Sequence, residues 1–493
     1  MNLRRTAPVL LVLFHLGFGA VVVQVAYWNF VRGPELANHA RNPRYWVRVR
    51  SIERGQITDS AGKVLAESVR LTRPDDDERA GPELAAALRP KLYTRRYPGG
   101  RLGAHVVGYS DYRRGESGVE RALSGYLAPR DLALPRFGWD ILAPPVRRGS
   151  SVVLSLDWRL QQAAAEALGQ REGAVVVIEV ATGAVRAMVD YPTFDPAATT
   201  DTKAWEKLLA DRAGQPLLSR AYAGRFSPGS TLKVLTAAAA LNAGTATPRT
   251  TYTCAGTLRL GHSTVHCERR SGHGRITLAQ GIALSCNIAL AQAALDMGPE
   301  AWQAAAEASG LNQRPQLFWP DPRTDQTPAG QMPTGDALTP AQLAAVGYGQ
   351  GALTVTPLYL ASLGQMIGNG GTRLEPYVVK QITSPGGRAV YQAQPHGAAR
   401  VVSRDAADEV LAMMRQVMAS GTGAGLAPGL SMAGKTGSAQ NPQGRAHSWF
   451  LALGPGEKPR YAVAVVVLHA GSGRGTAGPI AVQVLRAALA RPN

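Results

Sequence analysis

Residues 7–28, APVLLVLFHLGFGAVVVQVAYW, contain no charged side chain. At ~1.5 Å per residue a helix over this run is about 33 Å long, enough to cross a hydrocarbon core of ~30 Å. Arg4 and Arg5 precede it, and Tyr27, Trp28 and Phe30 form an aromatic belt at its far end. The run is longer than a signal-peptide core of roughly 7–15 residues and lacks a persuasive small-residue cleavage site. It predicts an uncleaved single-pass signal anchor behind a cytoplasmic tail at 1–6. Arg32, Arg41 and Arg44 leave the flanking-charge rule undecided, but a large domain translocates regardless of such charge, which places the remainder outside the cytoplasm.

Residues 29–150 are rich in Arg, Pro and Gly with short apolar pieces, and predict a small irregular module of strands and loops, with residues 73–83 as an exposed loop. The texture changes at 151. DWRLQQAAAEALGQ has the period of an amphipathic helix, and GAVVVIEVATGAVRAMVD is two apolar strands joined at Ala181-Thr182-Gly183. An alanine-rich helix is predicted from Ser230, and further such helices between about 277 and 370. The chain closes with three strand-like runs, SMAGKTGSAQ, HSWFLALG and RYAVAVVVLHA, and a helix, PIAVQVLRAALAR. Two strands early and three late predict one antiparallel sheet closed by both ends of a domain at 151–493, with helices on both faces.

Composition changes this picture little. The 493 residues are 45% hydrophobic and 18% charged, as in ordinary globular chains. The net charge of +18 raises nucleic acid as a partner, but the arginines are dispersed and form no dense basic run, so that class is set aside. Attraction to an anionic matrix such as wall polymers or lipid headgroups stays open beside a plain arginine-biased surface. Cys254 and Cys267 bracket a hairpin-like AGTLRLGHSTVH and suit a disulfide, with free buried thiols as the alternative. His262, His266 and His273 make zinc conceivable, although no Cys-x-x-Cys or His-x-x-x-Cys pair frames it.

Only eight lysines are present, and one, Lys233, enters the oily helix of FSPGSTLKVLTAAAA one turn after Ser230. Positions i and i+3 share a helix face, so the amine can reach the hydroxyl. Burial lowers an amine's pKa and lets it act as a base near neutrality, which activates the serine. Ser-x-x-Lys alone is weak: Ser60-Ala61-Gly62-Lys63 matches it within a turn. Ser285-Cys286-Asn287 opens a later helix, where a capping role is the plain alternative. Lys435-Thr436-Gly437-Ser438 lies in a strand whose glycines admit another backbone along an edge, against the alternative of a lysine that deters aggregation. Three motifs in this order, using two scarce lysines, make a catalytic set.

From residue 54 onward the sequence resembles a class B penicillin-binding protein, a monofunctional peptidoglycan D,D-transpeptidase, and is especially similar to the short penicillin-binding protein A type. RGQITDSAGKVLAES, GESGVERALSGYL, GAVVVIEVATGAVRAMVDYPTFDP, FSPGSTLKV, CERRSGHGRITLAQGIALSCN, YGQGALTVTPLYLA, the Gly-Thr-Gly at 421–423, MAGKTGSAQ and HSWFLALGP carry the likeness. Ser438 stands where a threonine is common.

The resemblance implies an α+β domain, a five-stranded antiparallel sheet flanked by helices plus an all-helical lobe, behind a transmembrane helix and a β-rich pedestal. It implies that Ser230 attacks the penultimate D-Ala carbonyl of a D-Ala-D-Ala stem peptide and that Lys233 takes its proton. Ser285, held by Lys233 and Lys435, relays a proton to the departing amine, and Asn287 steadies Lys233 and the substrate amide. Lys435 and Thr436 hold the terminal carboxylate of the peptide or of a β-lactam. Backbone N–H groups of Ser230 and Ser438 form the oxyanion hole. Gly437 lets the substrate approach, and His447 and Trp449 lie where they could line the cleft, packing being at least as good a reading for Trp449. No metal or organic cofactor is implied. The implied partners are stem peptides, β-lactams and a lipid-II-polymerising multi-span glycosyltransferase at the bacterial cell membrane.

Two rivals remain. A serine β-lactamase or D,D-carboxypeptidase would share the acylation but use water, yet no Glu-x-x-Leu-Asn element lies between the second and third motifs. A non-catalytic β-lactam sensor or wall-synthesis scaffold would not need all three motifs.

Overall fold

The computed structural model describes residues 3–32, 52–71, 93–111, 113–129, 148–318, 327–332, 338–441 and 444–490. The loop expected at 73–83, together with Arg41 and Arg44, lies outside them. The chain forms two compact units, one of Met1–Gly55, Ser68–Arg96 and Ser124–Ser150, the other of Gln56–Glu67, Tyr97–Leu123 and Ser151–Asn493.

The first unit opens on helix α1 (Leu3–Ala26). Its apolar side chains, among them Leu11, Phe14, Leu16, Phe18 and Val23, are exposed. Among the described residues no helix is long and apolar enough to cross a membrane, unlike the span expected over 7–28. Elsewhere in this unit distant segments are tied through main-chain bonds, Gly55 N to Leu127 O and Ser150 N to Tyr126 O, each 2.9 Å.

The second unit is built on five strands, β1 (Gly173–Glu179), β2 (Val185–Tyr191), β3 (Ala433–Asn441), β4 (Gly444–Gly454) and β5 (Tyr461–Val467). They form an antiparallel sheet in the order β3-β4-β5-β1-β2. The β1–β2 hairpin turns at Thr182-Gly183, whose Gly183 N–H donates to Glu179 O. Every residue of β5 is buried, and β1 is buried up to Ile178. A strand apolar on both faces needs a cover on each. Helices α2 (Trp158–Leu168) and α7 (Ala477–Leu489) lie on one face, where Leu160, Ala164, Leu168, Ala481, Val484 and Leu485 join Val175, Val177, Phe450 and Val463 in one core. Helix α5 (Pro357–Gly368), buried along almost its whole length, packs on the other face. Between strands and covers run α3 (Lys233–Asn242), α4 (Asn287–Met297) and α6 (Arg404–Ala419).

Two expectations need correction. One antiparallel sheet was expected over 151–493, yet Ser151–Leu154, Val379–Thr383 and Ala389–Gln392 belong to a second sheet, which Ile57–Thr58 joins. The lobe carrying α3, α4 and α6 is not all-helical either. Thr251–Cys254 pairs with Gly274–Thr277, and Thr257–Leu260 with Ser263–His266. Alternation explains the first pair, since Tyr252 and Cys254 are buried while Thr251 and Thr253 are exposed. A two-residue Gly261-His262 turn, with Gly261 at φ +60°, closes the second.

Candidate active site

Ser230 does not begin an α-helix. It lies in a 3₁₀ turn, Gly229–Leu232, and α3 starts at Lys233. Gly229 takes φ +55° here, with its missing Cβ 2.9 Å from Ser438 O, so the turn sits directly against β3. β3 is an edge strand of the sheet. Further along it, a Cβ on Gly437 would lie 2.8 Å from Thr231 Cγ2 and 2.9 Å from Trp449 Cβ.

Lys233 and Lys435 are both fully buried, at 0% exposure. Lys233 Nζ donates to Ser285 O at 2.6 Å, to Asn287 Oδ1 at 2.7 Å and to Ser285 Oγ at 3.3 Å. From β3, Lys435 Nζ reaches the same Ser285 Oγ at 2.8 Å and Thr436 O at 3.0 Å. One hydroxyl therefore sits between two amines. Ser285 gains that position through a left-handed backbone, φ +57°, between helix Leu278–Ala283 and α4. Such a conformation costs a side-chain-bearing residue about 1–3 kcal/mol and is held by its surroundings. Asn287 is oriented from its other end, its Nδ2 donating to His266 O at 2.9 Å.

Burial governs the charges. It pulls Lys233 down to about 8, with nearby thiols and Glu268 acting weakly in the opposite direction. Lys435 falls well below the ordinary lysine range, through burial first and the positive charge of Lys233 second. Two ammonium groups around one hydroxyl repel each other, so this cluster favours an amine that can take a proton.

Ser230, Asn287 and Ser438 line a cavity of about 590 Å³ together with Tyr348, Gln350, Glu268 and Arg270. An alcohol at the mouth of a helix, with an amine of lowered pKa a turn away and a serine shared by two lysines, can capture an acyl group and shuttle the proton.

Residues 173–489 match the family model for the penicillin-binding protein transpeptidase domain. The chain belongs to the penicillin-binding protein transpeptidase family. It is 32% identical to the peptidoglycan D,D-transpeptidase PbpA of Mycolicibacterium smegmatis, over 99% of this chain and 98% of that one. A ceftriaxone acyl-enzyme complex of penicillin-binding protein A from M. tuberculosis superposes with a TM-score of 0.77 at 29% identity, covering 90% of this chain and all of the other. The D,D-transpeptidase domain from Eggerthella lenta gives 0.76 at 32% identity, covering 89% and 99%. These likenesses place the chain among class B transpeptidases.

Several residues of this transpeptidase lie away from the cavity wall. His447, on β4 opposite Ala439, packs between Phe226 and His469, with ring centroids at 5.7 Å and 4.9 Å. Burial and the neighbouring His469 push its pKa down to about 4, and Nδ1 accepts from His469 N, so the ring is neutral with its proton on Nε2. Trp449 is buried, its Nε1–H on Ser227 O at 2.9 Å, which braces the segment just before the 3₁₀ turn.

Other residues near the site were assigned no role from sequence. Thr422, within the Gly-Thr-Gly at 421–423, sits with its Oγ1 2.7 Å from Thr436 Oγ1. Tyr348 and Gln350 come from the YGQGALTVTPLYLA segment, which carries the likeness without a role for either. Glu268 and Arg270 precede the second motif without any pattern that marks them.

The fit at Gly437 yields a prediction. Gly437→Ala forces β3 and the Ser230 turn apart by several tenths of an ångström and is expected to slow penicillin acylation about 10²-fold, as misplaced reacting groups do. Stopped-flow acylation kinetics on the folded variant, compared with the parent, check this.

Proposed function

We propose that the protein is a peptidoglycan D,D-transpeptidase that works through an acyl-enzyme on Ser230. The observation that carries this reading is the Ser285 hydroxyl held by both buried lysines, 2.8 Å from Lys435 and 3.3 Å from Lys233, beside the cavity that Ser230 lines. Ser230 Oγ attacks the penultimate D-Ala carbonyl carbon of a D-Ala-D-Ala stem peptide as Lys233 accepts its proton. Backbone N–H groups of Ser230 and Ser438 hold the oxyanion, a contribution worth ~10²–10³ per donor. The carbon–nitrogen bond then breaks, and the proton passes through Ser285 to the leaving D-Ala amine. Lys435 and Thr436, the latter supported by Thr422, hold the terminal carboxylate. An amine from a second stem peptide attacks the ester, returns Ser230 to its hydroxyl form and completes the cross-link.

Intact-mass analysis after benzylpenicillin treatment tests the reading. One lasting adduct is expected, on the peptide that contains Ser230; rapid turnover of the antibiotic with no adduct would make the protein a hydrolase instead.

The pH dependence follows from Lys233. Its uncharged form is the base, and its pKa lies near 8. The acylation rate is therefore expected to rise as pH increases through about 8 and to level off above it, the opposite of a reaction that needs a protonated acid. A pH–rate profile under single-turnover conditions checks the sign.

The exposed apolar side chains of α1 support a single-pass anchor at 7–28, with the catalytic unit outside the cytoplasm. Next to it we place a multi-span lipid-II polymerase as partner. Extraction of the full chain into the soluble fraction by carbonate, or its purification from membranes with no polymerase activity attached, would remove the first or the second of these assignments.

A further inference from the structure

We propose that Cys254, Cys267, His273 and Cys286 form a structural zinc site that braces the wall of the catalytic cavity. Their ligand atoms all lie within 4.8 Å of one another. His273 Nδ1 is 3.6 Å from Cys254 Sγ and 3.5 Å from Cys267 Sγ, and the Sγ atoms of Cys267 and Cys286 are 3.9 Å apart. Zn–S bonds of about 2.3 Å and Zn–N bonds of about 2.0–2.1 Å at tetrahedral angles require S···S edges of about 3.8 Å and S···N edges of about 3.5 Å. Those three edges match that tetrahedron, and the other three are no longer than 4.8 Å. All three cysteines are free and buried, the alternative to the disulfide in the sequence reading. Three thiolates and one imidazole are a soft donor set that suits zinc, and four protein ligands leave no open position, as in a structural site.

The four ligands come from four places. Cys254 ends strand Thr251–Cys254, Cys267 follows strand Ser263–His266, His273 precedes strand Gly274–Thr277, and Cys286 caps α4. The two strand pairs are two-stranded ribbons, which are marginal on their own and gain most from a clasp. Outer contacts already orient the donors: Ala289 N donates to Cys286 Sγ at 3.4 Å, and Cys267 N donates to Gly256 O at 2.9 Å.

The clasp reaches the chemistry. Cys286 lies between Ser285 and Asn287 in the chain, and His266, beside Cys267, supplies the carbonyl that holds Asn287. Asn287 in turn holds Lys233. The ligands are thus positioning residues for the catalytic lysine. Binding releases the three thiol protons to solvent and changes no oxidation state.

Untagged full-length protein, purified in detergent under reducing conditions without chelator, provides the test. Elemental analysis is expected to find about one zinc per chain, as a closed four-ligand site takes. Loading the metal-stripped protein with cobalt(II) should produce the visible d–d bands of tetrahedral coordination and thiolate charge-transfer absorption. Cys267→Ser and His273→Ala should lose both signals, while His262→Ala, at the exposed hairpin tip, keeps them. Should the two cluster variants fail to fold, the parent's metal content and thiol count still decide. Metal-free parent protein with three titratable thiols overturns the proposal, and so does a Cys254–Cys267 or Cys267–Cys286 disulfide found by mass spectrometry.

Discussion

Ser230→Ala abolishes covalent labelling by fluorescent penicillin, with an expected loss in acylation rate of at least about 10⁴-fold, because removal of a nucleophile leaves only binding and oxyanion stabilisation. Ser230 is half-buried in the 3₁₀ turn, so losing its hydroxyl is expected to change stability by about 1 kcal/mol or less. Labelling and melting temperature therefore separate: the band disappears from the gel while the thermal transition stays within a few degrees of the parent. Persistent labelling of the folded variant would place the nucleophile elsewhere and remove the basis of the mechanism.

Lys233→Met is expected to lower acylation by about 10²–10⁴-fold, the range for a positioned general base. Stability is the more revealing half of this experiment. Burial takes Lys233 from its ordinary 10.5 to about 8, so carrying the charged form at neutral pH costs about 3 kcal/mol. Methionine relieves that cost but leaves Ser285 O and Asn287 Oδ1 without their donor, at about 1–3 kcal/mol each. The two effects are of the same size. The variant should therefore melt close to the parent while reacting with penicillin at least a hundredfold more slowly. A fall in melting temperature beyond about 10 °C would assign the lysine to holding the lobe together rather than to proton transfer.

How far the sequence anticipates this molecule depends on whether each feature is local. The apolar runs of β1 and β5 are continuous, and the motifs around Ser230, Ser285 and Lys435 are short and self-contained, so the central sheet and the order of the motifs could be read directly. The second sheet could not. Ile57 pairs with Val152, and Val153 with Gln381, through strands too short to leave a periodic trace. The left-handed turn at Ser285 is equally silent, because nothing about a serine announces a positive φ. Glu268 and Arg270 reach the cavity only because the ribbons fold back beside Asn287. The cysteines are a similar case. Twelve residues separate Cys254 from Cys267 and five separate Cys267 from His273, spacings that carry no metal signature until the ribbons cross.

The pairing of β5 with β1 has a further consequence, for the order in which the enzyme can become complete. Tyr461 meets Glu179 and Val467 meets Gly173, residues nearly three hundred positions apart along the chain. Contacts of such long sequence separation form late, since a large loop must close before they contribute. Until the final strands have emerged, β1 has one hydrogen-bonding edge open and the Lys435 strand is not yet in place. Newly made chains therefore remain inactive and prone to edge-to-edge association through most of their synthesis. Catalytic competence arrives only once residues 461–467 have paired with 173–179.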